Sequence, residues 1–153
     1  MAIVSHVALL RGINVGGKNI LPMKDLAAMF TDLGCRDVRT YIQSGNVVFA
    51  AGAQLARRLS GLAGAAISKR FGFEPPLVIR SLEELRAAAR NNPYLKRGAD
   101  PKFLHIGFLL DAPDKAGIAA LDPDRSPPDE FAVRGREVYF LCPNGLGKSK
   151  LTS

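Results

Sequence analysis

The chain has 153 residues, is 47% hydrophobic and 23% charged, and carries a formal net charge of +7. This is the mix of one ordinary globular protein that buries its own core, and no low-complexity tract or heptad repeat is present. Two cysteines, Cys35 and Cys142, make neither a disulfide framework nor a zinc cluster, so reduced packing thiols are expected, with no metal and no cofactor.

The apolar start lacks a basic leader and stops at Arg11, which is too short to span a membrane. A cytoplasmic protein without a membrane partner is expected. Val4 to Leu10 reads as a central strand, rich in apolar residues. A glycine-rich loop, Gly12 to Ile20, follows. A helix then begins near Pro22, with Met23, Leu26, Phe30 and Leu33 at helical spacing and Gly34 at its C-terminal cap. Val38–Ile42 and Val47–Phe49 flank the turn residues Gln43-Ser44-Gly45-Asn46 and predict a hairpin. A helix over Gln54–Phe71 and a strand over Leu77–Arg80 complete the order β-α-β-β-α-β. That is the split β-α-β, or ferredoxin-like, order of an α+β protein.

Ser81-Leu82-Glu83-Glu84 is a capping box opening a helix that stops near Asn91-Asn92-Pro93. Tyr94–Pro101 reads as a loop, Phe103–Leu110 as a strand and Pro113–Leu121 as a short helix. Asp122–Glu130 is acidic and proline-rich, hence an exposed loop. Phe131–Arg134 and Glu137–Leu141 form a second hairpin around Gly135. The second half thus reads as a further, incomplete split β-α-β unit, and Leu146–Leu151 would open its missing helix. The expected organisation is a unit over 1–80 and a unit over 81–153, packed as one compact protein with a C-terminal tail that is either naturally short or truncated.

Charge is uneven. Residues 1–80 hold 10 Lys/Arg against 4 Asp/Glu, whereas residues 81–153 hold 11 against 10. A basic first half favours anionic partners, either small molecules or nucleic acid. In a right-handed β-α-β crossover the first two strands point the same way, so the loop after each lies at one end of the sheet. Arg11, Asn14, Gly16, Gly17, Lys18 and Asn19 should then meet Gln43, Ser44 and Asn46. Glycines let backbone N–H groups approach an oxyanion, Arg11 offers a fork of donors and Lys18 a point charge. The expected function is binding of a phosphate-bearing ligand, nucleotide or nucleic acid, at this rim. The same cleft could instead serve an enzyme acting on a small anion, or the sheet edge a protein-interaction module.

Other motifs carry less. Gly12-x-x-x-Gly16-Gly17-Lys18-Asn19 is no Walker A loop, because Asn19 stands where the metal-binding hydroxyl belongs. Asn144-Gly145-Leu146-Gly147-Lys148-Ser149-Lys150 reads as a helix start. His6 and His105 sit in strand patterns without triad or metal spacing. Tyr41, Tyr94 and Tyr139 read as amphipathic packing residues, which leaves few aromatics for base stacking in a protein without Trp.

Three segments together resemble the Domain-of-Unknown-Function 1697 family: Arg11-Gly12-Ile13-Asn14-Val15-Gly16-Gly17-Lys18-Asn19, Thr40-Tyr41-Ile42-Gln43-Ser44-Gly45-Asn46-Val47-Val48-Phe49, and Asn144 to Leu151. The resemblance implies a bacterial α+β protein with a ferredoxin-like portion and a further helical segment beyond residue 153. It brings no established activity.

Overall fold

The computed structural model describes residues 2–41 and 45–152. Contacts divide the chain into two units, residues 1–86 and 87–153. The first contains β1 (Ile3–Leu10), α1 (Met23–Asp32), β2 (Arg36–Tyr41), β3 (Asn46–Gly52), α2 (Ala53–Phe71) and β4 (Leu77–Ser81). Its strands form one antiparallel sheet in the order β2-β3-β1-β4. β1 and β2 therefore point the same way with β3 between them, which is the ferredoxin-like arrangement.

Alternation along β3 sets the two faces of this sheet. Val47, Phe49 and Ala51 are buried in one core with Leu26 and Phe30 of α1 and Leu59 and Ile67 of α2, while Val48 between them is exposed. Gly34 (φ +107) ends α1 through paired bonds: the Cys35 N–H donates to the Phe30 carbonyl at 3.1 Å and the Gly34 N–H to that of Thr31 at 3.0 Å. Only a residue tolerant of positive φ closes a helix in this way. The Cys35 thiol behind this cap is buried, and desolvation pushes its pKa from 9.0 to about 11.

The capping box forms as the sequence predicts and opens α3 (Leu82–Arg90), which spans the division between units. The Glu84 N–H donates to Ser81 Oγ at 3.1 Å and the Ser81 N–H to Glu84 Oε1 at 3.0 Å. Part of the expected loop after it is instead a helical turn, α4 (Pro93–Lys96). The side chain of Asn92 accepts from the Tyr94 N–H at 3.0 Å, and Pro93 occupies the first helical position. β5 (Leu104–Phe108) is shorter than its apolar run suggests, with Leu110 already exposed. α5 (Lys115–Ala119), β6 (Glu130–Arg134) and β7 (Glu137–Leu141) follow, and the antiparallel sheet order is β5-β7-β6. This repeats the order β1-β3-β2, so the second unit is a split β-α-β lacking its last helix and strand.

The helix expected from Leu146 is replaced by two 3-10 turns, Leu146–Lys148 and Lys150–Thr152. The cause lies in the proline-rich loop, which is not wholly exposed, because Ser126 and Asp129 are buried. Ser126 Oγ donates to Asp129 Oδ2 at 2.7 Å and accepts from the Lys150 N–H at 3.0 Å, and Arg125 Nε donates to the Lys150 carbonyl at 2.8 Å. Those bonds hold residue 150 outside a helical ladder. No described helix is long and apolar enough to cross a membrane.

Candidate anion-binding site

Chain leaving β1 is held on both sides. The Leu10 N–H donates to the Gly45 carbonyl at 2.9 Å, and the Arg11 N–H to the Pro76 carbonyl, just before β4, at 3.1 Å. Gly45 has φ +93, and a Cβ there would lie 2.9 Å from the Leu10 carbonyl oxygen, 3.0 Å from Leu10 Cβ and 3.1 Å from Ile13 Cδ1. Ile13, 1% exposed, turns back from the loop into the core. Gly45 is thus wedged against the start of the glycine-rich loop, and only glycine fits the wedge. Asn46 pairs with Leu9 on one side and Tyr41 on the other, at the same end of the sheet. Gln43 and Ser44 lie outside the described residues.

The loop itself is a small hairpin. The Asn14 N–H donates to the Asn19 carbonyl and the Lys18 N–H to the Val15 carbonyl, both at 3.1 Å. Gly16 (φ +62) and Gly17 (φ +71) form its tip, the mirror-image turn that suits two glycines. Asn14 and Asn19, also at positive φ, brace this hairpin. Asn14 Oδ1 accepts from the Leu21 N–H at 2.7 Å while its Nδ2 donates to the Leu21 carbonyl at 2.8 Å, and Asn19 Nδ2 donates to the Gly12 carbonyl at 3.1 Å. Sequence reasoning groups these two amides with the ligand donors, whereas their positions here are those of internal braces.

Arg11, Lys18 and the glycine tip face outward, together with Val15, 67% exposed, and Ile20, 56% exposed. Both cations are exposed, and neither has an ion pair among the described residues. A Cβ built on Gly16 or Gly17 meets nothing within 4 Å. The loop and turn carry cations, amides and a hydroxyl, but no carboxylate, imidazole or thiol. Such a set can hold an anion, and it contains no general base.

The remaining motifs are structural. His6 is buried, its ring stacked on Phe49 with centroids 5.4 Å apart and its Nδ1 2.9 Å from the Val4 carbonyl. The Gly145–Lys150 stretch spends its amides internally: the Gly145 N–H bonds to Cys142 and the Ser149 N–H to Leu146. Burial raises the Cys142 thiol pKa, and a hydrogen bond with Ser149 opposes this in part. Among the described residues no group of three His, Cys, Asp or Glu could hold a metal ion.

Sequence reasoning missed Tyr41, Arg36 and Arg39. Tyr94 and Tyr139 are buried, but Tyr41 is 66% exposed. β2 also carries a register shift between Arg36 and Arg39, with Asp37 at φ +51. Strict alternation would put Arg36 and Arg39 on opposite faces. The extra residue pairs them with Ala50 and Val48, on one face.

The family model described as protein of unknown function, DUF1697, matches residues 3–139. The chain belongs to the DUF1697 family. This DUF1697 chain is also similar in structure to the conserved bacterial protein SP0830 from Streptococcus pneumoniae. The TM-score is 0.70 at 25% sequence identity, over 94% of this chain and 79% of that one. None of the curated proteins matches this DUF1697 chain.

Proposed function

We propose that the protein binds a phosphate-bearing ligand, a nucleotide or nucleic acid, at the rim formed by residues 11–19 and 43–46. The observation that carries this reading is the pair of exposed cations, Arg11 and Lys18, without an ion pair among the described residues, on a loop that Gly45 holds in place. Both cations are exposed, and the two tip glycines offer N–H groups in open space. Asn14 and Asn19 serve by stiffening the hairpin, so that little ordering remains when the ligand arrives. We place the protein in the bacterial cytoplasm, a reading supported by its free thiols and its likeness to a bacterial protein.

Titration with ATP and with short oligonucleotides at several salt concentrations tests the reading. Arg11→Ala with Lys18→Ala should weaken binding at least tenfold, since hydrogen bonds to charged groups contribute about 1.5–3 kcal/mol each. Binding that ignores salt, or that the double variant retains in full, refutes it.

A further inference from the structure

We infer that the ligand is single-stranded nucleic acid, laid from the glycine-rich loop across the face of the first sheet opposite α1 and α2 and stacked on Tyr41. This deepens the reading above and rests on it. The face is identified by strand register. Arg36, Arg39 and Tyr41 of β2 pair with Ala50, Val48 and Asn46 of β3, opposite in facing to the buried Val47, Phe49 and Ala51. At β4 the same face is closed, where Arg80 is buried. At β2 and β3 it is open: Arg36 and Arg39 are exposed, and Val48 is 43% exposed.

Charge names the occupant. Across the four strands the only carboxylate is Asp37, in the bulge of β2. Arg36 and Arg39 have no ion pair among the described residues. Arg39 stands about 7 Å from Tyr41 along the strand, and the β1 end that launches the loop is two strand spacings away, about 10 Å. Cations spaced along an open sheet beside an exposed ring match a strand whose phosphates and base faces alternate. A duplex keeps its base faces stacked, so the ring would find nothing to stack on. The bulge is the device that makes this face, since it turns Arg36 to the side of Arg39 and Tyr41.

The test is fluorescence anisotropy with the full chain and labelled single strands of about 12 nucleotides, oligo-dT and oligo-rU. Duplex DNA, ATP and inorganic polyphosphate serve as competitors. Tyr41→Ala should weaken binding roughly 5- to 100-fold and Tyr41→Phe much less. Arg36→Ala with Arg39→Ala should lower the salt slope by about 1.4. All four substitutions are at exposed positions, and unchanged melting shows that the fold survives. If Tyr41→Ala has no effect while Arg11→Ala with Lys18→Ala weakens binding, the inference fails and the loop reading stands. The same holds if polyphosphate or duplex competes as well as single strand, or if ATP binds and single strand does not. If the Arg11 and Lys18 substitutions change nothing, the loop reading falls and the path proposed here falls with it.

Discussion

Replacing Gly45 by alanine tests whether the wedge between turn and loop is as tight as it looks. Two costs add. The backbone at φ +93 disfavours any L side chain by roughly 1–2 kcal/mol. The new methyl also meets the Leu10 carbonyl oxygen, a backbone atom, at 2.9 Å, and Ile13 Cδ1 at 3.1 Å. Overpacking of this kind costs about 1–3 kcal/mol. The expected loss is therefore roughly 2–5 kcal/mol, a fall in Tm of about 5–15 °C for a chain of this length. Gly12→Ala is the control, because Gly12 has φ +74 but nothing within 4 Å of its would-be Cβ. It should cost only the backbone part, roughly 1–2 kcal/mol. Urea denaturation of both variants gives the comparison. If Gly45→Ala costs no more than Gly12→Ala, the contact with Leu10 and Ile13 is slack and the rim is not preorganised.

Asn14→Ala removes both bonds to Leu21 and should cost roughly 1–3 kcal/mol in urea denaturation, with weaker ligand binding as the loop loosens. Ser81→Ala breaks one half of the capping box and should cost about 1 kcal/mol by thermal melting, whereas Glu84→Gln should cost little, since glutamine can still reach back to the Ser81 N–H. Native Cys35 should resist a thiol reagent at pH 8 and react once urea unfolds the chain. The linkage has a definite sign: the raised folded pKa means the unfolded chain gives up this proton first. Stability therefore declines as pH rises from 9.0 toward about 11, and Cys35→Ala should flatten that part of the pH profile.

Local rules carry most of the fold. Apolar spacing fixes α1 and α2, Gly34 ends the first of them, and Ser81 with Glu84 starts α3, each through contacts within a few residues. The failures come from bonds between distant residues. Nothing near Lys150 announces that Ser126 and Arg125 will claim its backbone, so a helix pattern becomes two 3-10 turns. Asn14 is legible as polar but not as the partner of Leu21, seven positions on. In β2 the expected strand begins at Val38, so Arg36 and the bulge at Asp37, φ +51, lie outside it. An aspartate in a strand beside two arginines is the cue, because Asp tolerates that conformation better than most residues.

The second unit offers an internal comparison that separates what the fold contributes from what the residues contribute. At the end of β5 the Leu109 N–H donates to the Arg136 carbonyl at 2.8 Å, at the β6–β7 turn. This is the counterpart of the Leu10–Gly45 bond, in the same place within the same strand order. The juxtaposition of loop and turn is therefore a property of the split β-α-β topology and says nothing by itself about ligands. The loops decide. After β1 the chain reads Arg-Gly-Ile-Asn-Val-Gly-Gly-Lys, with two cations and no carboxylate; after β5 it reads Leu-Leu-Asp-Ala-Pro-Asp, with two carboxylates, no glycine and no cation. An anion at the second rim would face Asp111 and Asp114, with Asp114 Oδ1 already taken by the Gly117 N–H at 2.6 Å. Arg134 and Arg136 at the β6–β7 turn offset Asp111 and Asp114, so the second rim is close to neutral where the first is purely cationic, and an anionic ligand should favour the first rim. Asp111→Asn should leave oligonucleotide affinity where it was. A marked gain on that substitution would mean that the second rim competes for the ligand, and that topology rather than the Arg11–Lys18 chemistry selects it.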